Sequence, residues 1–280
     1  MPYKDLLVHL DDGKGCARRI DVAVRLAAQH GAHLTGIFPI VEIPLLHHIR
    51  EQIPPDLRAS MAAEAQALAD TALQAFRQAA AAGGVAHDAK VAHALGRTLT
   101  SVLSVHARCM DLLVLGQVDP DERPYVAPHR PEEIVLSCGR PVLILPHDGA
   151  RATLGERVLI GWDGSREAAL VISQAMPFLR RASSVHVVSV KPESTASGEG
   201  EPSGAEVGVH LARHEVEVEV KSIETDRMPV GDALLAFAED YGCDLLVMGA
   251  SARSRLRELV LGGATRTILK DATLPVLMAH

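Results

Sequence analysis

The sequence predicts an α/β protein made of two tandem, doubly wound domains, each built on a five-stranded parallel sheet. Two observations carry this. First, three segments recur in the same order: KDLLVHLDD at 4–12 returns as ERVLIGWDG at 156–164, ARCMDLLVLGQ at 107–117 as DYGCDLLVMGA at 240–250, and RPVLILP at 140–146 as LPVLMAH at 274–280. Second, short and almost wholly apolar runs alternate with amphipathic stretches, as expected of parallel strands covered by helices on both faces. The 280 residues suit two domains better than one. The repeat sets the boundaries: residues 1–147, a linker at 148–155 within HDGARATLGE, and residues 156–280. The first half is longer, with its extra residues in VEIPLLHHIREQIPPD and the long helix after it.

In the second half RVLIGW is a strand ending at Asp163-Gly164-Ser165, where Ser165 caps a helix with Ala169, Ile172, Met176 and Leu179 on one face. SSVHVVSV is the next strand, and the Gly/Ser/Pro/Glu-rich KPESTASGEGEPSG is an exposed loop. AEVGVHLARH is a helix. EVEVEVKSI alternates strictly, which implies one solvated face and an edge strand. Pro229 opens a helix with Val230, Leu234, Phe237, Ala238 and Tyr241 on its stripe, and Gly242 closes it. CDLLVMG is a buried strand, followed by a glycine-containing loop, a helix to Lys270 and the last strand, LPVLMA. The first half follows the same plan, with helices near 15–31, 57–83 and 96–108.

Composition limits the function. Hydrophobic residues make up 48% and charged residues 22%, enough apolar surface for a core in each half. A net charge of −7 disfavours nucleic acid or an anionic membrane as partner. MPYKDLLVHLDDG lacks the apolar centre of a signal peptide, and no apolar run reaches the ~18 residues of a membrane span. Cys16, Cys109, Cys138 and Cys243 lie far apart without a CxxC pair, which fits a reducing compartment; the expectation is a cytoplasmic protein. None of the cysteines has an evident His or Asp partner. His210 and His214 share a helix face and His47 and His48 are adjacent, but neither pair has a third ligand nearby in sequence, so no metal site is expected.

Ligands of doubly wound sheets bind beyond the carboxyl ends of the strands, at the switch point, so Asp163 and Gly249 should approach one crevice. The loop beginning at Gly249 carries Arg253, Arg255 and Arg257 and reaches Gly262-Gly263 directly before a helix. Glycines let backbone N–H groups approach an anion, and a helix N-terminus adds its positive end. The first-half counterpart from Gly116 to Pro131 lacks the later glycines and is rich in proline and acid, so it should not cradle a phosphate. Asp11 and Asp12 are there expected to cap a helix.

The loop resembles that of the universal stress protein family, which runs Gly, two residues, Gly, nine residues, Gly, then Ser or Thr. Gly249 and Gly262 match it; Ala252 and Gly263 depart from it. The resemblance covers both halves and implies a tandem universal stress protein with a Rossmann-like, adenine nucleotide alpha hydrolase-like fold. It implies an adenine nucleotide, ATP or AMP with or without Mg, as a regulatory ligand of the second half. Adenine and ribose would lie near Asp163, Val190 and Met248, and the phosphates near Gly249, Ala252, Arg253, Ser254, Gly262 and Gly263. Gly263 lacks the hydroxyl that reaches terminal phosphates, so fewer phosphates or weaker binding would follow. The alternative is a stress scaffold that binds no nucleotide. A slow ATP hydrolase ranks behind both, because no loop residue is an evident base, and no catalytic residue is assigned. Members of the family commonly pair through their last strands, so 141–146 and 274–279 are expected near an intramolecular interface, in a compact monomer or a homodimer of tandem chains.

Overall fold

A computed structural model describes residues 2–41, 54–94, 96–121, 129–148, 153–192, 203–225, 228–250 and 262–280. The chain divides into two compact units, Pro2–Cys138 and Gly139–His280. Among the described residues no helix is long and apolar enough to cross a membrane.

The first unit contains β1 (Asp5–His9), α1 (Cys16–His30), β2 (His33–Ile40), α2 (Pro55–Ala82), β3 (His87–His93), α3 (Leu99–Ala107), β4 (Leu112–Gly116) and α4 (Pro131–Cys138). Its strands run in the order β3-β2-β1-β4, with parallel pairing throughout. Leu6, Leu7, Val8, Leu112, Leu113 and Val114 are fully buried, as strands covered on both faces must be. Helix α1 ends at Gly31, whose φ of 59° places it in the left-handed region and turns its N–H back onto the last carbonyls. Gly36 in β2 makes room for Phe76 of α2, since a Cβ there would stand 2.8 Å from the ring.

The second unit contains β5 (Val142–Leu145), β6 (Arg157–Gly161), α5 (Arg166–Leu179), β7 (Ser184–Pro192), α6 (Gly204–Arg213), β8 (Val218–Thr225), α7 (Val230–Asp240), β9 (Leu245–Gly249), α8 (Gly263–Asp271) and β10 (Val276–Ala279). The order is β5-β10-β9-β6-β7-β8. Strands β6 to β10 are parallel, while β5 runs antiparallel to β10, with Leu143 opposite Leu277. The strand expected to be the fifth of the first half thus pairs with the last strand of the second. Both are short, apolar and buried along their whole length, so either left as a free edge would expose apolar surface and unpaired backbone.

Strand β8 is the edge its alternation requires; it pairs only with β7 and has no fully buried residue. Ser165 caps α5, accepting the Ala168 N–H at 3.1 Å. Of the expected stripe of α5, Ile172 and Leu179 are buried, while Ala169 is exposed and Met176 half-buried; Ala168, Val171, Ala175 and Phe178 complete the inward face. Pro229 and Gly242 bracket α7 as expected, but Tyr241 stays 38% exposed beyond its last turn. Ser203 and Glu206 form a capping box on α6. Helix α4 has no counterpart among the helices expected from the sequence.

The repeated aspartate before β4 and β9 has the same work in both units. Asp111 accepts the Lys4 and Asp5 N–H groups at 2.6 and 3.1 Å, and Asp244 accepts those of Gly155, Glu156 and Arg157 at 3.0, 3.1 and 2.9 Å. Each carboxylate fastens the start of its unit's first repeat strand to the strand beside it.

Candidate functional site

The switch point of the second unit lies between β6 and β9, where neighbouring strands lead to helices with α5 following one and α8 the other. Register places the expected residues at one end of three adjacent strands. Gly161 stands opposite Val188 on β7 and Met248 on β9, and the Trp162 N–H donates to the Val188 carbonyl at 2.9 Å. Asp163 follows two residues beyond Gly161, and Val190 two beyond Val188, so both sit on the carboxyl rim beside Met248 and Gly249. Asp163 is exposed and accepts the Ser165 N–H at 3.0 Å, which shapes the turn into α5. Val190 is half-buried and Met248 buried.

Gly249 ends β9 against the first turn of α5. A Cβ there would stand 2.5 Å from the Ala168 nitrogen and 2.6 Å from the Glu167 carbonyl carbon, so only glycine lets this helix approach. Gly262 is the N-cap of α8 in an extended conformation and, having no side chain, makes no cap bond to the first N–H groups of that helix. A Cβ at Gly263 would meet nothing within 4 Å among the described residues. Ala252, Arg253 and Ser254 lie outside the described residues, as do Arg255, Arg257, His47 and His48.

Glu167, which the sequence did not single out, is a buried carboxylate at this rim. Burial alone would raise its carboxyl, but the Arg166 Nε–H bond and the positive potential of Arg166 and His280 hold it below its usual range. His280 in turn bonds through Nδ1 to the Ala250 carbonyl at 2.8 Å.

The corresponding crevice of the first unit lies between β1 and β4 and is filled by side chains of the unit itself. His9 occupies the place of Gly161, and it is 1% exposed with neither ring nitrogen in a hydrogen bond. Arg19 reaches in from α1, 4% exposed; its Nε donates to the His9 carbonyl at 2.6 Å and its Nη2 stands 2.7 Å from Asp11 Oδ2. A Cβ on Gly116 would come within 2.5 Å of the Arg19 Nη1. His129 closes the cluster, its Nε2 donating to the Gly116 carbonyl at 2.6 Å and its ring meeting His9 edge-on at 5.1 Å between centroids.

Asp11 does not cap α1 as expected; the N-cap is Gly15, which has no side-chain bond. Asp11 instead turns on the Gly13 N–H at 3.1 Å and pairs with Arg19. Burial would raise its carboxyl, but the Arg19 guanidinium, then His9 and the hydrogen bonds from Arg19 and Gly13, carry it down to about 2. Burial holds both His9 and His129 below the usual imidazole range, and so neutral. The sequence signal for this difference is the exchange of His9 for Gly161 within the repeat; Arg19 and His129 carry no local motif.

Residues 155–280 match the model of the universal stress protein family. A universal stress protein of Synechocystis is 30% identical over 152 residues, a match spanning 52% of this chain and 49% of the relative. A second relative, from Methanocaldococcus jannaschii, is 34% identical over 47 residues, spanning 17% of this chain and 29% of its own length. The chain thus spans about half or less of the length of these curated relatives. Among solved structures, a universal stress protein from Archaeoglobus fulgidus shares the fold over 98% of this chain and 97% of its own, with a TM-score of 0.74 at 15% identity. The family match thus lies in residues 155–280, the second repeat of the chain.

Proposed function

We propose that this chain is a tandem universal stress protein that binds an adenine nucleotide, ATP or AMP with or without Mg, in the crevice of its second unit, as a regulatory ligand and not as a metabolic substrate. The observation that carries this reading is the rim at the β6/β9 switch point. Asp163, Val190, Met248 and Gly249 share it, glycines stand at the ends of both central strands, and the start of α8 has no side-chain cap. In this reading residues 1–147 and 156–280 are the two family domains, joined by 148–155, and only the second takes nucleotide. The protein acts in the cytoplasm, as a monomer or as a homodimer of tandem chains, which light scattering separates.

Calorimetry of the full chain with ATP and AMP tests the reading, and at most one nucleotide per chain is expected. Loss of a hydrogen bond to a charged phosphate oxygen costs roughly 1.5–3 kcal/mol, so Gly263 should leave ATP little advantage over AMP. Ala252→Gly with Gly263→Ser should tighten ATP more than AMP, and no described residue stands within 4 Å of the side chain added at Gly263. If the double variant binds ATP no better than the parent, or neither binds nucleotide, the regulatory reading fails.

The scaffold reading has its own support, because the packing of α5 against Gly249 explains that glycine without any ligand. Absence of bound nucleotide in both proteins would favour it.

A further inference from the structure

The crevice that the first unit fills holds three side chains with metal-ligand chemistry. One donor atom from each of His9, Asp11 and His129 lies within 4.8 Å of the other two, and no other trio of His, Cys, Asp or Glu does so among the described residues. We propose that His9, Asp11 and His129 form a site for a divalent transition metal of the zinc class.

Four features support it. His9 is 1% exposed and both its ring nitrogens are buried without a hydrogen-bond partner, an arrangement that costs stability unless something takes the lone pair. His129 donates Nε2–H to the Gly116 carbonyl, the outer contact that commonly fixes the tautomer of a ligating histidine, and this leaves Nδ1 with a lone pair. Asp11 Oδ1 is held by the Gly13 N–H, while Oδ2 stands 3.7 Å from His9 Nδ1. Two imidazoles with one carboxylate suit zinc and its neighbours in the first transition row better than calcium or magnesium, which prefer oxygen donors throughout.

Two features weaken the site without removing it. Metal bonds of about 2.0–2.2 Å require the donors to draw together from their present spacing. The Arg19 guanidinium, 2.7 Å from Asp11 Oδ2, places a positive charge beside the ion and competes for the carboxylate. The site is therefore expected to bind more weakly than one built without that arginine. It is separate from the nucleotide reading, since all its residues belong to the first unit.

The test uses the full chain, stripped with a chelator, then titrated with Zn2+ by calorimetry and with Co2+ by visible absorption. One ion per chain is expected, with ligand-field bands of nitrogen and oxygen coordination for Co2+. His129→Ala and Asp11→Asn should each weaken Zn2+ binding by at least the roughly 10–100-fold that loss of an outer partner alone costs. Replacing both His210 of α6 and His214 at its C-cap, whose rings lie 4.8 Å apart, with alanine should leave the affinity unchanged. His129 precedes α4 and lies outside the sheet, so its variant keeps the test if Asp11→Asn, which breaks the Arg19 pair, fails to fold. Failure of the parent chain to take up either ion, retention of parent affinity by His129→Ala, or loss of binding in the His210/His214 variant would overturn the proposal.

Discussion

At the β1/β4 switch point the first unit packs an arginine, an aspartate and two histidines into the crevice; at the β6/β9 switch point of the second, glycines occupy the corresponding strand ends. The same β-α plan therefore supports opposite uses of one location. In the first unit Gly116 admits the tip of a side chain, Arg19, whereas in the second Gly249 admits the backbone of a helix. A flexible guanidinium can withdraw from a new Cβ, but a helix backbone moves only with its whole element. The two glycines, matched in the repeat, answer to different physical demands.

The largest expected effect breaks the first crevice. Arg19→Met removes the charge that balances Asp11 and leaves a largely buried carboxylate alone, at a cost of about 3 kcal/mol. Chemical denaturation followed by a probe in the first unit should show it, and an unchanged midpoint would mean that Asp11 is solvated and the crevice open. The glycine comparison comes next. Gly249→Ala should destabilise the second unit by about 1–3 kcal/mol, because α5 must shift, and Gly116→Ala should destabilise the first by less. Equal losses would remove the distinction between backbone and side-chain neighbours.

Acid sharpens the same contrast. Asp11 titrates at about 2 in the folded chain against an ordinary 3.8, so its contribution of about 2 kcal/mol is fully present above the ordinary value and is lost as the pH falls from there toward 2. A chelator-treated sample melted across that window should lose this stability in the parent, while Asp11→Asn should lose it at every pH and show a flatter dependence. The smallest effect concerns helix starts. Ser165→Ala removes the α5 cap and should cost about 1 kcal/mol, whereas Gly15→Ala at the α1 N-cap, which makes no side-chain bond, removes no cap bond. Thermal melts of the two variants compare them directly.

The order of elements was largely legible because each strand is a short apolar run and most helices are bracketed by a cap, a proline or a glycine. Ser165, Pro229 and Gly242 stand where local chemistry predicts. Helix α4 escaped notice because its eight residues follow a proline-rich stretch and are too few to display a full apolar period. The stripe of α5 holds at Ile172 and Leu179 but not at Ala169, because Ala168 and Ala169 are equally small and only contact with Gly249 of β9 selects Ala168.

Sequence alone determined the duplication and the parallel α/β plan, since repeated apolar runs and turn residues are local features that survive without knowledge of distant contacts. It also placed Asp163 and Gly249 at one crevice, because the carboxyl ends of parallel strands must lie together, while Val190 and Met248 followed from the family resemblance. Tertiary structure alone decided which way β5 pairs and what fills the first crevice. The direction of a pairing depends on which partner covers an apolar strand, and β5 is as compatible with an antiparallel neighbour as with a parallel one. Arg19 and His129 meet over Gly116 from segments far apart in the chain, and no periodicity or motif records a contact that exists only after the intervening strands have paired.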